Sequence, residues 1–282
     1  MTELFADTIG DTLKLVPFLL VTYLIMEYLE HKAAGRTQAL LRRAGKAGPF
    51  LGAAAGLFPQ CGFSAAAANF YAARLISRGT LVAVFLATSD EMLPVLLTEA
   101  AEGATIVRLL ALKFTVGLLV GFLVDFVDAF ARRGGQDQGP QIHELCEQEH
   151  CDCQAGIVVS ALRHTAGIVA FLFLATLLLN LAIFYMGEDS LAAFMQGRPF
   201  VSVLLTAAAG LIPNCAPSVI MTKLYLEGAL SLGAAMAGLL AGSGTGLLIL
   251  LRMNRNRREN AAIAGIIYGA GAVTGILLEL LG

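Results

Sequence analysis

The sequence has no tryptophan, and only 14% of its 282 residues are charged. A soluble domain carries about 25% charged and about 45–50% apolar residues. The 57% apolar content here is more than a water-facing fold accommodates, and lipid is the solvent that explains it. Charge of both signs is scarce and nearly balanced, at a net −2. No basic stripe with interleaved aromatics is present, which excludes nucleic acid as a partner. Without tryptophan, any interfacial belt rests on six tyrosines and on lysine and arginine anchors. Five cysteines are too few and too unevenly placed for a secreted disulfide framework. Neither a P-loop nor a Cys-x-x-Cys occurs, so the chain itself offers no nucleotide-hydrolysis or dithiol redox motif. A basic start is also missing: Glu3, Asp7 and Asp11 stand where a signal peptide would be positive, and residues 12–29 read as a permanent first span.

What the chain does have is apolar length. Stretches of about 20 residues, enough to cross a bilayer, fall at roughly 12–29, 79–98, 106–130, 157–186, 229–251 and 261–281. Two more, at 47–77 and 200–227, are interrupted by proline and cysteine, and the interruptions share one grammar. Residues 53–64 read AAAGLFPQCGFS and residues 207–218 read AAAGLIPNCAPS. The match continues without a gap at a constant spacing of 154, and 18 of the 45 positions from 53 to 97 are identical to their counterparts. Shared hydrophobicity alone does not give that, so the chain is a duplicated unit.

Charge then sets the topology. Lys32, Arg36, Arg42, Arg43 and Lys46 crowd one loop and Arg252, Arg255, Arg257 and Arg258 another, and both are expected in the cytoplasm. Glu99, Glu102, Glu188 and Asp189 mark the outer loops. If the interrupted segments crossed fully, Arg132 and Arg133 would lie outside. If each is a re-entrant hairpin, the conflict disappears. The predicted fold is therefore an all-α integral membrane protein of two inverted repeats. Each repeat has three full spans plus one Pro-x-Cys hairpin, which gives about ten helical segments and the architecture of a secondary transporter. The first repeat takes residues 1–133, a His/Cys-rich cytoplasmic linker 134–155 and the second repeat 156–282. Both termini are expected outside a cell (inner) membrane.

The chemistry is expected at the hairpin tips. Pro59 and Pro213 each remove an N–H and block the helix, leaving backbone groups that only protein or a wet cavity can satisfy. Gln60, Asn214, Ser64 and Ser218 add neutral polar ligands there, and Cys61 and Cys215 add soft sulfur. The plainer reading is a proline kink beside structural cysteines. Recurrence of the motif in both halves favours function.

Ser89, Asp90 and Glu91 sit mid-span, where ionised carboxylates are costly and normally functional. Their counterparts Ser243, Gly244 and Thr245 keep a hydroxyl and lose both acids. That contrast predicts one charged pole and one neutral, locally unwound pole at residues 241–246, AGSGTG. Lys113, at similar depth on the next span, is the expected charge partner for one acid. The glycine pairs Gly117/Gly121 and Gly271/Gly275 are read as packing sites without a substrate role. His143, Cys146, His150, Cys151 and Cys153 place five metal-type ligands in eleven linker residues. They form either a metal-capture loop or a solvated acidic linker.

The twin Gly-Leu-x-Pro-x-Cys motifs, the following Ser-Asp-Glu and the His/Cys-rich loop together resemble the ten-helix heavy-metal exporter family. That family is similar to the arsenic permeases and is also labelled a manganese transporter or arsenic efflux protein. The resemblance covers nearly the whole chain and implies export of a heavy-metal or metalloid species. The residues themselves leave several classes open: a proton-coupled secondary exporter, a carrier of a small organic anion, a channel, or an intramembrane thiol or lipid-phosphate enzyme. Lipid-phosphate chemistry needs cations at the tips, and neither tip carries lysine or arginine. No catalysis and no resident cofactor are expected. The expected partners are the bilayer, a small ion or metalloid cargo (a bound metal ion among the options) and a possible second copy of the chain.

Overall fold

Each apolar segment becomes helical because the helix is the structure that satisfies a backbone in lipid within a single segment. The computed structural model describes residues 9, 10, 12, 13, 15–17, 19–25, 47–131, 157–186 and 199–281, and all regular structure among them is helical. The first half comprises α1 (Leu15–Ile25), α2 (Gly48–Gly56), α3 (Cys61–Ala72), α4 (Arg78–Ala87), α5 (Met92–Thr98) and α6 (Gly103–Ala131). The second half comprises α7 (Ile157–Met186), α8 (Pro199–Gly210), α9 (Ala216–Leu226), α10 (Leu232–Ala241), α11 (Gly246–Met253) and α12 (Arg257–Leu281). The expected hairpins are α2/α3 and α8/α9. With α4/α5 and α10/α11 each taken as one interrupted span, the described residues form ten segments, in line with the about ten expected. Among the described residues, five stretches are long and apolar enough to cross a membrane, those two interrupted spans included.

Burial sorts the spans into layers. The most apolar stretch of α4/α5 is 78% buried inside the protein and that of α10/α11 is 83% buried, against 22% for α6 and 28% for α12. The interrupted spans therefore form the centre. The long helices turn Leu119, Leu123, Phe126, Val273 and Leu277 outward, toward lipid. Each half repeats the same local packing. Ser77 accepts the amide of Thr80 to cap α4, and its hydroxyl donates to Asp125 at 2.7 Å. One repeat later, Ser231 caps α10 and donates to Glu279 at 2.8 Å.

Glycine sets the spacing between the centre and the long helices. A Cβ at Gly117 would stand 2.9 Å from the Ala83 carbonyl oxygen, and one at Gly271 2.5 Å from that of Ala237. Backbone cannot yield as a flexible side chain does. Gly121 and Gly275 are equally tight against Ala83 and Gly233. These are the close-contact sites that the four-residue glycine spacing predicts. We expect Gly117→Leu or Gly271→Leu to abolish accumulation of folded protein, while Gly265→Leu, with nothing within 4 Å, leaves it unchanged. Size-exclusion profiles of detergent extracts check this.

The halves are antiparallel. Arg74, at the N-terminal approach to α4, pairs with Glu259, which follows the C-terminal end of α11. Two parallel repeats would place those ends on opposite faces. Limbs also cross between halves: α3 packs on α11, and α9 packs on α5. The termini, the basic loop at Lys32 to Lys46, Arg132, Arg133, the linker ligands His143, Cys146, His150, Cys151 and Cys153, and the acidic pair Glu188/Asp189 all lie outside the described residues.

Candidate functional site

Both hairpin tips turn in four or five residues: 57–60 between α2 and α3, and 211–215 between α8 and α9. Cys61 opens α3 and Cys215 caps the start of α9, so both sulfurs stand at helix N-termini that point to the centre of the protein. They meet there, Sγ to Sγ, at 3.8 Å. These are repeat counterparts, 154 residues apart. A residue touching its own counterpart must lie beside the axis that relates the halves, so the cysteines mark that axis.

The spans around them are interrupted at the same level. Helix α4 stops at Ala87, where Thr88 turns to ψ 125°, and α10 stops at Ala241, where Gly242 turns to ψ 96°. The freed backbone is partly satisfied by the hairpin, since the Ser89 amide donates to the Gly56 carbonyl at 3.2 Å. Thr88 closes the end of α4 through its own hydroxyl, which donates to the Val84 carbonyl at 2.7 Å. The unwound pole expected at 241–246 is present, and so is a second one at 88–91. Both poles are unwound, and only the first carries acids.

Unwinding lets adjacent acids do different things. The carboxylate of Glu91 and the sulfurs of Cys61 and Cys215 lie within 4.8 Å of one another. Asp90 turns instead toward the other half. It is 9% exposed and lies within reach of the Cys61 thiol. A Cβ placed on Gly244 would stand 2.5 Å from its Oδ2. Gly244, at φ +53°, is the repeat counterpart of Asp90. With Asp90 in place, its counterpart position has no room for a side chain.

The other expected residues fall around this centre. Ser64 is buried and donates to the Cys61 carbonyl at 2.9 Å, and Ser89 donates to that of Ala87 at 2.9 Å. Asn214 is buried and accepts the Ala216 amide at 2.9 Å, while Gln60 and Pro59 are exposed. A Cβ on Gly242 would lie 3.2 Å from Ser218 Oγ, which places Ser218 at the second break. Ser243 Oγ and Thr245 Oγ1 are buried and have no hydrogen-bond partner. They flank Gly244, against which Asp90 rests. Lys113 is 1% exposed, but its ammonium donates to the Leu239 carbonyl at 2.6 Å, across the halves. Asp90 acts on it electrostatically without the direct ion pair that the sequence suggests. The ammonium satisfies a carbonyl freed where α10 ends, a role that no sequence pattern announces.

A donor set of two sulfurs and a carboxylate suits a thiophilic ion. In a tetrahedral thiolate site with metal–sulfur bonds of about 2.3 Å, two sulfurs stand about 3.8 Å apart. Residues 1–178 and 141–281 match a family model described as "Putative, 10TM heavy-metal exporter". The chain belongs to that family. The two matches overlap and together span the chain to Leu281. No curated protein and no solved structure matches the chain. Membership agrees with the ten helical segments and identifies an integral membrane transporter.

Proposed function

We propose that this protein exports a thiophilic metal or metalloid ion by alternating access, as a secondary, proton-coupled carrier. The cargo sits between the hairpin tips on Cys61, Cys215 and Glu91. Gln60, Ser64, Ser89, Asn214, Ser218, Ser243 and Thr245 supply neutral donors around it. The observation that carries this reading is the meeting of two repeat-related cysteines with one carboxylate inside 4.8 Å. Sulfur donors select soft ions over Mg²⁺, Ca²⁺ or Mn²⁺. The acids favour a cationic or neutral cargo over an organic anion, because the one buried ammonium nearby already holds a carbonyl. Asp90 is the coupling group, since a carboxylate can hold either a proton or the charge of a cation. In this reading the protein lies in the inner membrane with its termini outside, and residues 134–155 gather ions on the cytoplasmic side.

An ion-by-ion flux screen in proteoliposomes tests it. Cd²⁺, Zn²⁺ and arsenite are the expected cargoes, with Mn²⁺ and simple organic anions as controls. The double substitution Cys61→Ser/Cys215→Ser is expected to lower transport of thiophilic ions by at least roughly 10–100-fold, since loss of a ligand's outer-shell partner alone costs that much. Serine is close to cysteine in size, so the protein still folds. Wild-type flux in the folded double variant would reduce the sulfurs to packing.

A further inference from the structure

We propose that Arg74 and Glu259 form a one-sided gate, which holds the arginine-rich face of the transporter shut in this conformation. The idea rests on the alternating-access reading but not on the identity of the cargo.

Three observations support it. Arg74 joins the halves through both guanidinium nitrogens, with Nη1 donating to Glu259 Oε1 at 3.2 Å and Nη2 to Oε2 at 3.0 Å. Such bidentate pairs are directional as well as strong. The receiving carboxylate is held in place: Asn254 Nδ2 donates to Oε2 at 3.1 Å, and Asn254 is itself tied to Asn260 at 2.8 Å. Arg74 also lies over the ring of Tyr71, with its guanidinium carbon 5.4 Å from the centroid.

The second observation is backbone strain. Arg74 has φ +58°, in the left-handed region that residues with a Cβ avoid. Its counterpart in the other half is Gly228, at φ +73°. Both halves therefore need a left-handed residue at the hairpin exit, and glycine is the unstrained choice. Arginine at this position in one half is explained by what its side chain reaches. Among the described residues the opposite face has no equivalent link: Gly228 has no side chain, a Cβ there would meet nothing within 4 Å, and the counterpart of Glu259 is Thr105.

The third observation is packing. Hairpin limb α3 lies closely along α11, up to the face that carries Arg74. The counterpart limb α9, of nearly the same length, meets α5 much less extensively. The two related interfaces thus differ as the two sides of a carrier differ when one is closed. The closed side bears the ion pair and Arg252, Arg255, Arg257 and Arg258, while the looser side bears Glu99, Glu102 and Glu227. Opening the closed side requires α3 to leave α11, which cannot happen while Arg74 holds Glu259.

The test reads access to the tip cysteines and needs no transported ion. Cys146, Cys151 and Cys153 are replaced by serine, and the protein is placed in vesicles of known orientation. A membrane-impermeant maleimide is then added from either side. In the parent, Cys61 and Cys215 are expected to react faster from the Gly228 face. Arg74→Gly copies the counterpart and relieves the strain, so folding is retained. It is expected to raise the rate from the arginine-rich face about tenfold, a shift of roughly 1.4 kcal/mol in the closed–open balance. Glu259→Gln should do the same, and the exchange Arg74→Glu/Glu259→Arg should restore the parent rates. Equal reaction from both faces in the parent would overturn the gate, as would unchanged rates in both folded single variants. If the cysteines prove not to bind cargo, these rates still decide the matter, so the two readings fail separately.

Discussion

Replacing Gly244 with aspartate makes the two halves identical at this position, and it is expected to prevent stable folding. Two costs combine. A side chain at φ +53° is disfavoured by roughly 1–2 kcal/mol. The new group would also be driven against Asp90, because even a Cβ reaches 2.5 Å from Oδ2. A second buried carboxylate without a cation adds about 3–5 kcal/mol. The sum is comparable to the whole stability of an ordinary domain, about 5–15 kcal/mol. Gly244→Ala isolates the steric part and should be milder. The exchange Asp90→Gly/Gly244→Asp moves the acid to the other side of the axis and should recover much of the stability. It should not recover transport, since Glu91 and Lys113 stay in the first half. Thermal unfolding of the four proteins in detergent provides the measurement. Equal unfolding midpoints for Gly244→Asp and the parent would show that the axis is not crowded.

The second large effect concerns the two acids, which the structure separates. Glu91 joins the cysteines and Asp90 faces Gly244. Glu91→Gln is expected to weaken Cd²⁺ binding by at least roughly 10–100-fold, the cost of losing an outer-shell partner alone, because it removes the anionic oxygen from the donor set. Asp90→Asn is expected to leave binding largely intact and to abolish the dependence of flux on a pH gradient. Both amides are isosteric with the acids, so folding should survive. Binding titrations and flux with and without a pH gradient separate the two roles. If both variants transport at the parental rate with the same pH response, the acids are structural and coupling does not pass through them.

Much of this was legible in the chain itself, and the parts that were not share a cause. The constant spacing of 154 gave the duplication, and the paired Pro-x-Cys gave the hairpins, because proline acts locally wherever it stands. The AGSGTG run announced the break at 242–245 through its glycines. The matching break at 88–91 has no such residue in Thr-Ser-Asp-Glu, so nothing local in the sequence announces it. What interrupts it is tertiary: the Ser89 amide is drawn to the Gly56 carbonyl of the hairpin. Lys113 was singled out for its depth and its charge. Its carbonyl partner lies 126 residues away, on a helix end that is exposed only because α10 stops short. Nothing in the sequence marks Arg74, since neither its left-handed backbone nor Glu259, 185 residues away, leaves a local pattern.

The contact between Asp90 and Gly244 bears on how such a protein can be built at all. Two identical half-length chains assembled about a two-fold axis must present the same residue from both sides. At this position they would offer either two carboxylates in collision or two glycines and no acid. A single acid on the axis is available only to one continuous polypeptide, in which the two copies are free to diverge. Joining the halves therefore did more than link them. It allowed a lone charge at the axis, where symmetry would forbid it.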